Sequence, residues 1–161
     1  METEVFSIRQ HGASWKGVGR FQAVIEESHN IPPQISQVRL VVSKIIKVLE
    51  AAGFATSECF DVKSALTEAL TNAVKCRPEP SGPAGHVWYR LDAGHLTIRV
   101  TDRGPGFDWN ACLDPTSPEH LLKEGGRGVF LIKNLMDRVA YDRESRTLTM
   151  EKRLSKPRDV E

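Results

Sequence analysis

The chain is predicted to fold as an α+β protein, a two-layer sandwich in which helices cover one face of a mostly antiparallel sheet. Two long helical patterns stand together in the first half of the sequence, and two pairs of strand patterns follow them. The strands do not alternate one by one with helices, as they do in a Rossmann unit. A parallel, doubly wound sheet is therefore not expected.

The first strand is predicted over residues 21–27, where apolar and polar side chains alternate. A further short strand is compatible with residues 5–9. Pro32 and Pro33 then interrupt the backbone, because proline fixes φ and disfavours a helical predecessor. The first strand and the helix after it are thus predicted to be separate elements.

Two helices follow the proline pair. Residues 34–51 carry apolar side chains at three- and four-residue spacing, and Gly53 is placed to end that helix. The second helix is predicted over residues 56–76, with Thr56 or Ser57 as its cap.

The apolar stripe of the first helix is wider than a single face, since it includes Leu40, Val41 and Val48. A second contact surface would explain this width, and the stripe is compatible with a homodimer. Deep packing of the helix in the core is the interpretation that we favour.

The second half of the chain is predicted to form two hairpins around an irregular segment and one helix. Residues 77–85 and 102–128 are rich in glycine and proline, which indicates loops. Ala93 and Gly94 are expected to turn the first hairpin. The predicted elements are strands at 86–91 and 96–101, a helix at 128–137, and strands at 138–142 and 147–153.

Composition places the chain among ordinary globular proteins, at 40% hydrophobic and 27% charged residues. A net charge of +1 without clustered basic residues gives no indication of nucleic-acid binding. No apolar stretch is long enough for a membrane helix, so no membrane association is expected. Cys59, Cys76 and Cys112 lack the spacing of a disulfide framework or a zinc site, which is typical of a reduced, cytoplasmic protein.

A polar pair on the second helix is the first candidate for chemistry. Glu68 and Asn72 are four residues apart, so both lie on one helix face, offset from the apolar seam. A carboxylate can orient a hydroxyl or accept its proton, and an amide oxygen can bind Mg²⁺. Taken alone, the pair is more often a solvated helix surface.

The second candidate is Asp102, which ends a strand and begins the sequence DRGPG. An ionised Asp accepts hydrogen bonds only, so it suits the exocyclic amino group of adenine. Gly104 and Gly106 allow the backbone to approach a ligand closely. An ordinary strand-ending turn has the same composition, so this motif alone decides nothing.

The third candidate is Gly126, Arg127 and Gly128, at the start of a helix. Free amide groups and the helix dipole make such a start suitable for phosphate. The P-loop pattern of glycines followed by Lys and Ser or Thr is absent, so a P-loop NTPase is not expected.

The order of the three motifs carries more weight than any one of them. EALTNAV, TDRGPGFD and EGGRGVFLIKNLMD resemble the N, G1 and G2 boxes of the GHKL ATPase superfamily, which has the Bergerat ATP-binding fold. Within that superfamily the chain resembles the anti-sigma-factor serine kinases, the RsbW-like group. The resemblance implies an ATP-binding domain over 20–154, with an N-terminal extension at 1–19 and a tail at 155–161.

The resemblance also implies roles for individual residues. Glu68 matches the catalytic base, Asn72 the Mg²⁺ ligand and Asp102 the adenine-binding residue of the family. Residues 107–124 match the ATP lid. The other positions that match nucleotide-contacting residues are Lys75, Gly104, Gly106, Lys123, Gly126, Arg127, Gly128 and Thr147.

One departure from the family pattern follows the Glu/Asn helix. Related proteins often continue with His and Gly, where this chain has Cys76, Arg77 and Pro78. The change alters the end of the helix and the mouth of the expected site. It removes neither Glu68 nor Asn72.

The function implied by the resemblance is a cytoplasmic protein serine/threonine kinase that binds Mg²⁺ and ATP. As in the family, it would sequester a sigma factor and phosphorylate an anti-anti-sigma (STAS-domain) protein. The alternative is an ATP-dependent interaction module without kinase turnover. The catalytic domain of a sensor histidine kinase is disfavoured, because no upstream helical segment carries a phosphoacceptor His.

Overall fold

A computed structural model of the chain describes residues 24–76, 82–104 and 126–155. Within these ranges the elements follow the predicted order, and the predicted strand at 5–9 lies outside them. The elements are β1 (Ile25–Ile31), α1 (Ile35–Ala51), α2 (Thr56–Lys75), β2 (Gly85–Asp92), β3 (His95–Asp102), α3 (Gly126–Leu135), β4 (Arg138–Asp142) and β5 (Thr147–Arg153). The α+β prediction is confirmed.

The strands form one antiparallel sheet in the order β1-β2-β3-β5-β4. The β2–β3 turn falls at Ala93 and Gly94, with φ values of 48° and 81°. Two successive positive φ angles are characteristic of the tight turn that matches the twist of a hairpin. In this strand order β3 is the central strand of the sheet. Asp102 is its last residue and therefore lies at one end of the central strand.

The helices cover one face of the sheet, as predicted. Inward-facing Leu96, Ile98 and Val100 of β3 are buried, while the alternate residues face outward or are half-buried. Leu66 and Leu70 of α2 are fully buried in the same core. Toward the carboxyl end of α2 the buried seam includes the small residues Ala69 and Ala73.

The first strand differs from its prediction at its carboxyl end, and residues 21–23 of the predicted range lie outside the described residues. It was expected over 21–27, whereas β1 runs from Ile25 to Ile31 and directly precedes Pro32. A residue before proline favours extended backbone, and Ile31 is fully buried, so pairing with β2 continues to that point. The break assigned to the proline pair was correct, but the strand reaches it.

The cap of α2 also differs from its prediction. Neither Thr56 nor Ser57 caps the helix; the N-cap is Ala55, whose side chain makes no capping bond. The backbone N–H of Ala55 instead donates to the carboxylate of Glu58 at 3.3 Å. A glutamate three residues into a helix can reach back in this way, so the acidic first turn replaces the hydroxyl cap.

Only part of the wide stripe on α1 is packed. Val41 and Val48 are half-buried against the core, but Leu40 is 58% exposed. Deep burial of the helix is therefore the wrong explanation for Leu40, which lies on the surface of α1.

Among the described residues, no helix is both long and apolar enough to cross a membrane.

Candidate functional site

A cleft opens between α2 and the end of the central strand that carries Asp102. Its empty volume is about 360 Å³, part of which is open to solvent. The described residues that line it come from α2, α3 and the strands β3, β4 and β5. They are Ala69, Asn72, Ala73, Cys76, Val100, Asp102, Ile132, Tyr141 and Leu148. The walls are thus largely apolar, with one carboxylate and one amide among them.

Asp102 is the one charged residue in the core of the described chain, at 9% exposure. It lies on the helix-facing side of β3, in register with Leu96, Ile98 and Val100, and this alternation aims it into the cleft. Its Oδ1 accepts a hydrogen bond from the backbone N–H of Gly104 at 2.8 Å. Burial raises the pKa of the Asp102 carboxyl, while the Gly104 bond and the charge of Arg146 oppose that rise.

Gly104 is required by space rather than by backbone angle. A Cβ at this position would overlap the carbonyl oxygen of Cys76 and approach Oδ1 of Asp102. The glycine therefore lets the turn after β3 pack directly against the carboxyl end of α2. This contact brings Asn72, one turn before Cys76, to the same cleft as Asp102.

Glu68 lies one turn before Asn72 on α2, and its carboxylate lies against the start of α3. A Cβ at Gly128 would overlap three side-chain atoms of Glu68. Only the absence of a side chain at Gly128 allows the carboxylate to reach the amino end of that helix. The structure thus brings together the Glu/Asn pair and the third sequence motif, which are about sixty residues apart in the chain.

Lys75 and Arg127 are both exposed, Lys75 in the last turn of α2 and Arg127 in the first turn of α3. Gly126 is the first residue of α3. Neither of the two basic side chains lines the cleft. Two further predicted site residues, Gly106 and Lys123, lie outside the described residues, as does the whole predicted lid, 107–124.

Thr147 lies at the start of β5, paired with Thr101 of β3, and it is not among the residues that line the cleft. Its hydroxyl is 2.8 Å from the hydroxyl of Thr101. Successive side chains of a strand point to opposite faces, so Leu148 faces the cleft instead. The low exposure of Leu148, 6%, agrees with this alternation.

Several residues that line or support the cleft are not predicted by any sequence motif. The cleft is also lined by Ile132, Tyr141 and Leu148. Val100 lies two residues before Asp102 on the same strand, and this spacing could have indicated that both side chains share one face. Arg146 was also missed. It lies in the β4–β5 turn, and its guanidinium donates to the carbonyl oxygen of Gly104 at 2.9 Å.

Cys76 is the C-cap of α2 and lines the cleft. Burial raises the pKa of its thiol, and the negative charge of Asp102 adds to that rise, while Lys75 opposes it. A thiol with a raised pKa is mostly protonated at neutral pH and is a poor nucleophile. Cys76 is a free, exposed cysteine at the edge of the cleft.

The residues of the cleft fit a purine nucleotide. The apolar walls suit a flat ring, and the buried Asp102 carboxylate suits an amino donor on that ring. The described residues contain no group of three acidic, His or Cys side chains that could hold a metal alone. A magnesium ion at Asn72 would rely on phosphate and water oxygens for its other ligands, as Mg²⁺ commonly does.

Comparison with known proteins agrees with this arrangement. Residues 31–152 match the family described as the histidine kinase-like ATPase domain. The serine-protein kinase RsbW of Staphylococcus aureus strain JH9 is 31% identical over 135 residues, which is 78% of this chain and 85% of that protein. The same protein of strain Newman has the same identity and coverage.

A solved structure shows the same fold. The RsbU and RsbW domains of Rv1364c from Mycobacterium tuberculosis match with a TM-score of 0.59 and 20% sequence identity. The match covers 82% of this chain and 33% of that longer chain. The family match and the identity to the staphylococcal proteins show that the chain belongs to the RsbW-like group of the histidine kinase-like (GHKL) ATPase superfamily.

Proposed function

We propose that this protein is an ATP-dependent serine/threonine kinase that binds a sigma factor and phosphorylates an anti-anti-sigma protein of the STAS class. The observation that carries the proposal is the shared cleft of Asp102 and Asn72, with Glu68 one turn away against the start of α3. The family membership supports ATP as the nucleotide. The name of the staphylococcal relatives, serine-protein kinase, supports serine as the acceptor.

Asp102 is proposed to select the adenine base. Its carboxylate accepts from Gly104 on one oxygen, and its side chain faces the cleft. Adenine presents an exocyclic amino group that donates to such a carboxylate. The small side chains of Ala69 and Ala73 leave room for the ring beside α2.

The phosphate end of the site is proposed to lie between α2 and the start of α3. Backbone amides at Gly126 and Gly128, at the amino end of α3, would contact phosphate oxygens. The amide oxygen of Asn72 would hold Mg²⁺, and exposed Lys75 and Arg127 would add positive charge nearby. Bound Mg²⁺ and ATP supply the transferable phosphoryl group and the cation that offsets its charge.

Glu68 is proposed as the base that accepts the proton of the attacking serine hydroxyl. Its carboxylate already lies at the amino end of α3, where the phosphate is proposed to bind. Positioning and electrostatic stabilisation by the surrounding groups would supply most of the rate enhancement, as is general for phosphoryl transfer. The predicted Lys123, Gly106 and Thr147 remain proposals for additional nucleotide contacts, although Thr147 would need to act other than through the cleft wall.

The Glu68→Gln substitution tests the kinase proposal. The amide keeps the size of the side chain but cannot take a proton, so phosphorylation of STAS-domain serines should fall at least about a hundredfold. Binding of ATP should stay within about threefold of wild type. The assay would use radiolabelled ATP with a panel of purified STAS-domain proteins.

Glu58→Gln is the matched control, because it makes the same chemical change at the other end of α2. It should leave phosphorylation unchanged below its unfolding temperature. If Glu68→Gln phosphorylates as fast as wild type, the assigned base is wrong. If wild type binds ATP but phosphorylates none of the STAS proteins, the ATP-dependent interaction module without turnover becomes the better account.

A further inference from the structure

Arg146 adopts a backbone conformation that is unusual for its residue type. It ends the β4–β5 turn with a φ of 53°, in the left-handed region that glycine adopts most readily. The turn is built by Asp142, whose carboxylate accepts the N–H of Glu144 at 3.0 Å and the hydroxyl of Ser145 at 2.7 Å. A glycine at position 146 would adopt this conformation without strain. The presence of arginine instead suggests that its side chain makes interactions with a specific role.

Arg146 makes three hydrogen bonds with the end of β3 and the two residues that follow it. Its carbonyl oxygen accepts the backbone N–H of Asp102 at 3.2 Å. Its guanidinium donates to the carbonyl oxygens of Gly104, at 2.9 Å, and Arg103, at 3.5 Å. Backbone and side chain of one residue therefore hold both ends of the short segment that begins with Asp102.

Gly104 is held on three sides as a result. Its N–H donates to the Asp102 carboxylate, the carbonyl oxygen of Cys76 occupies the space that a Cβ would need, and its own carbonyl accepts from Arg146. A shift of Gly104 would move the hydrogen bond that orients Asp102. The orientation of that carboxylate thus depends on a residue that does not line the cleft itself.

We propose that Arg146 is a positioning residue for base selection: it fixes Gly104 and so aims the Asp102 carboxylate at the amino group of the purine. The proposal rests on the proposed function, because it assumes that Asp102 contacts the base. Two other roles would leave different signatures. A general staple of the fold would affect all nucleotides equally, and a long-range attraction for phosphate would be shared by any arginine in the same turn.

The test compares the binding of ATP and ITP, which differ at the position that Asp102 reads. Arg146→Ala should weaken ATP binding about tenfold and change ITP binding by less than about twofold, so the preference for ATP shrinks. Arg143→Ala is the matched control, since it removes the same charge from the same turn. It should leave both affinities unchanged. Displacement calorimetry measures the two affinities.

Arg146→Gly separates positioning from stability. It loses the same side-chain bonds as Arg146→Ala but also relieves the left-handed strain, so it should melt roughly 3 °C higher than the alanine variant. Its ATP affinity should nevertheless be as low as that of Arg146→Ala. Arg146→Lys keeps the charge and one donor group, and it should recover part of the preference for ATP.

Equal losses for ATP and ITP in Arg146→Ala would overturn the proposal in favour of a structural staple. A loss of the same size in Arg143→Ala would overturn it in favour of simple charge. If wild type binds ATP and Arg146→Ala binds it equally well, only this proposal fails. If wild type binds no ATP at all, the proposed function fails, and this proposal fails with it.

Discussion

Two carboxylates at opposite ends of the sheet have opposite surroundings. Asp102 lies at one end, directly after Thr101, which pairs with the start of β5. Glu58, in the first turn of α2, lies at the other end, where Ser155 follows the end of β5. We call these the site end and the far end. Glu58 accepts from Ala55 N–H, from Ser155 N–H at 2.7 Å and from the Ser155 hydroxyl at 2.5 Å. Within the described residues the Asp102 carboxylate accepts one hydrogen bond, from the N–H of Gly104.

The difference is visible in the acidity of the two groups. Burial raises the pKa of Asp102 above its ordinary value, and its single hydrogen bond does not compensate. Burial also acts on Glu58, but the bonds from Ser155 and Ala55 outweigh it, and the pKa of Glu58 is lowered. A carboxylate saturated by its own chain stabilises the fold, whereas a buried carboxylate with unused acceptor capacity is suited to a ligand.

The largest effect that sharpens this comparison is expected from Gly128→Ala at the site end. The added Cβ would overlap the Glu68 side chain, which must swing away from α3. Loss of a positioned base should slow phosphorylation of a STAS-domain substrate about a hundredfold, or about 2.7 kcal/mol in the barrier. Melting temperature should hardly change, because alanine is a better helix former than glycine.

The double variant of Gly128→Ala and Glu68→Gln checks the cause. If both act through the same carboxylate, the double variant should be no slower than the slower single variant. A further loss equal to the product of the two single effects would show that Gly128 acts independently of Glu68.

The next effect is expected from a pair of glycine variants, one at each end. Gly104→Ala forces a Cβ against the backbone carbonyl of Cys76 and should reduce the free energy of unfolding by about 2 kcal/mol. Gly94→Ala strains a position with φ of 81° at the far end and should reduce it by about 1 kcal/mol. Urea denaturation measures both.

Only Gly104→Ala should also weaken ATP binding, because only that glycine holds Asp102. Calorimetry at a temperature where both variants are folded separates binding from stability. Equal affinity for ATP in the two variants would remove the functional distinction between the two ends.

A smaller effect is expected from Glu58→Gln at the far end, about 1 kcal/mol of unfolding free energy at neutral pH. The lowered pKa sets the sign of its pH dependence. Stability from the ionised Glu58 is present above its ordinary value of 4.5 and is lost as pH falls through the lower folded pKa. Denaturation in steps of falling pH should therefore show the variant and wild type converging. ATP affinity should not change.

The smallest effect is expected in the pKa values of the Asp102 and Glu58 carboxyl groups, which NMR of the carboxyl carbons measures. Asp102 should titrate above 3.8 and Glu58 below 4.5. Because the folded pKa of Asp102 is raised, its contribution favours folding at pH below 3.8 and is lost as pH rises through the folded value. Titration of Asp102 at or below 3.8 would contradict its assignment as the under-partnered carboxylate.

Local patterns in the sequence were sufficient for most of the fold. Spacing predicted α1 to within one residue at its start, and Ala93 and Gly94 marked the β2–β3 turn because that turn needs two positive φ angles. The end of β1 was missed, since the inward-facing residues before Ile31 are charged or polar and hide the alternation. Pairing with β2, which is not a local property, extends the strand.

Site residues could be predicted where the residue type itself indicates a role. They could not be predicted where the register of a strand determines which side chain faces the cleft. Asp102 and Asn72 share a cleft as their motifs indicated. The choice of Leu148 over Thr147 depends on which face of β5 meets the helices, a matter of a single residue in register. Arg146 could not be found from sequence, because a left-handed arginine is unusual and its partners are two backbone carbonyls about forty residues away.

The central claim, that the site end binds a nucleotide through Asp102, is tested most directly by calorimetry of ATP binding with and without Mg²⁺. Wild type should bind ATP more tightly with magnesium, and Asp102→Asn should weaken binding about a hundredfold. Asp92→Asn, the same change on the exposed end of β2 at the far end, should bind as wild type does. Wild-type affinity in Asp102→Asn, or no ATP binding by wild type, would contradict the account.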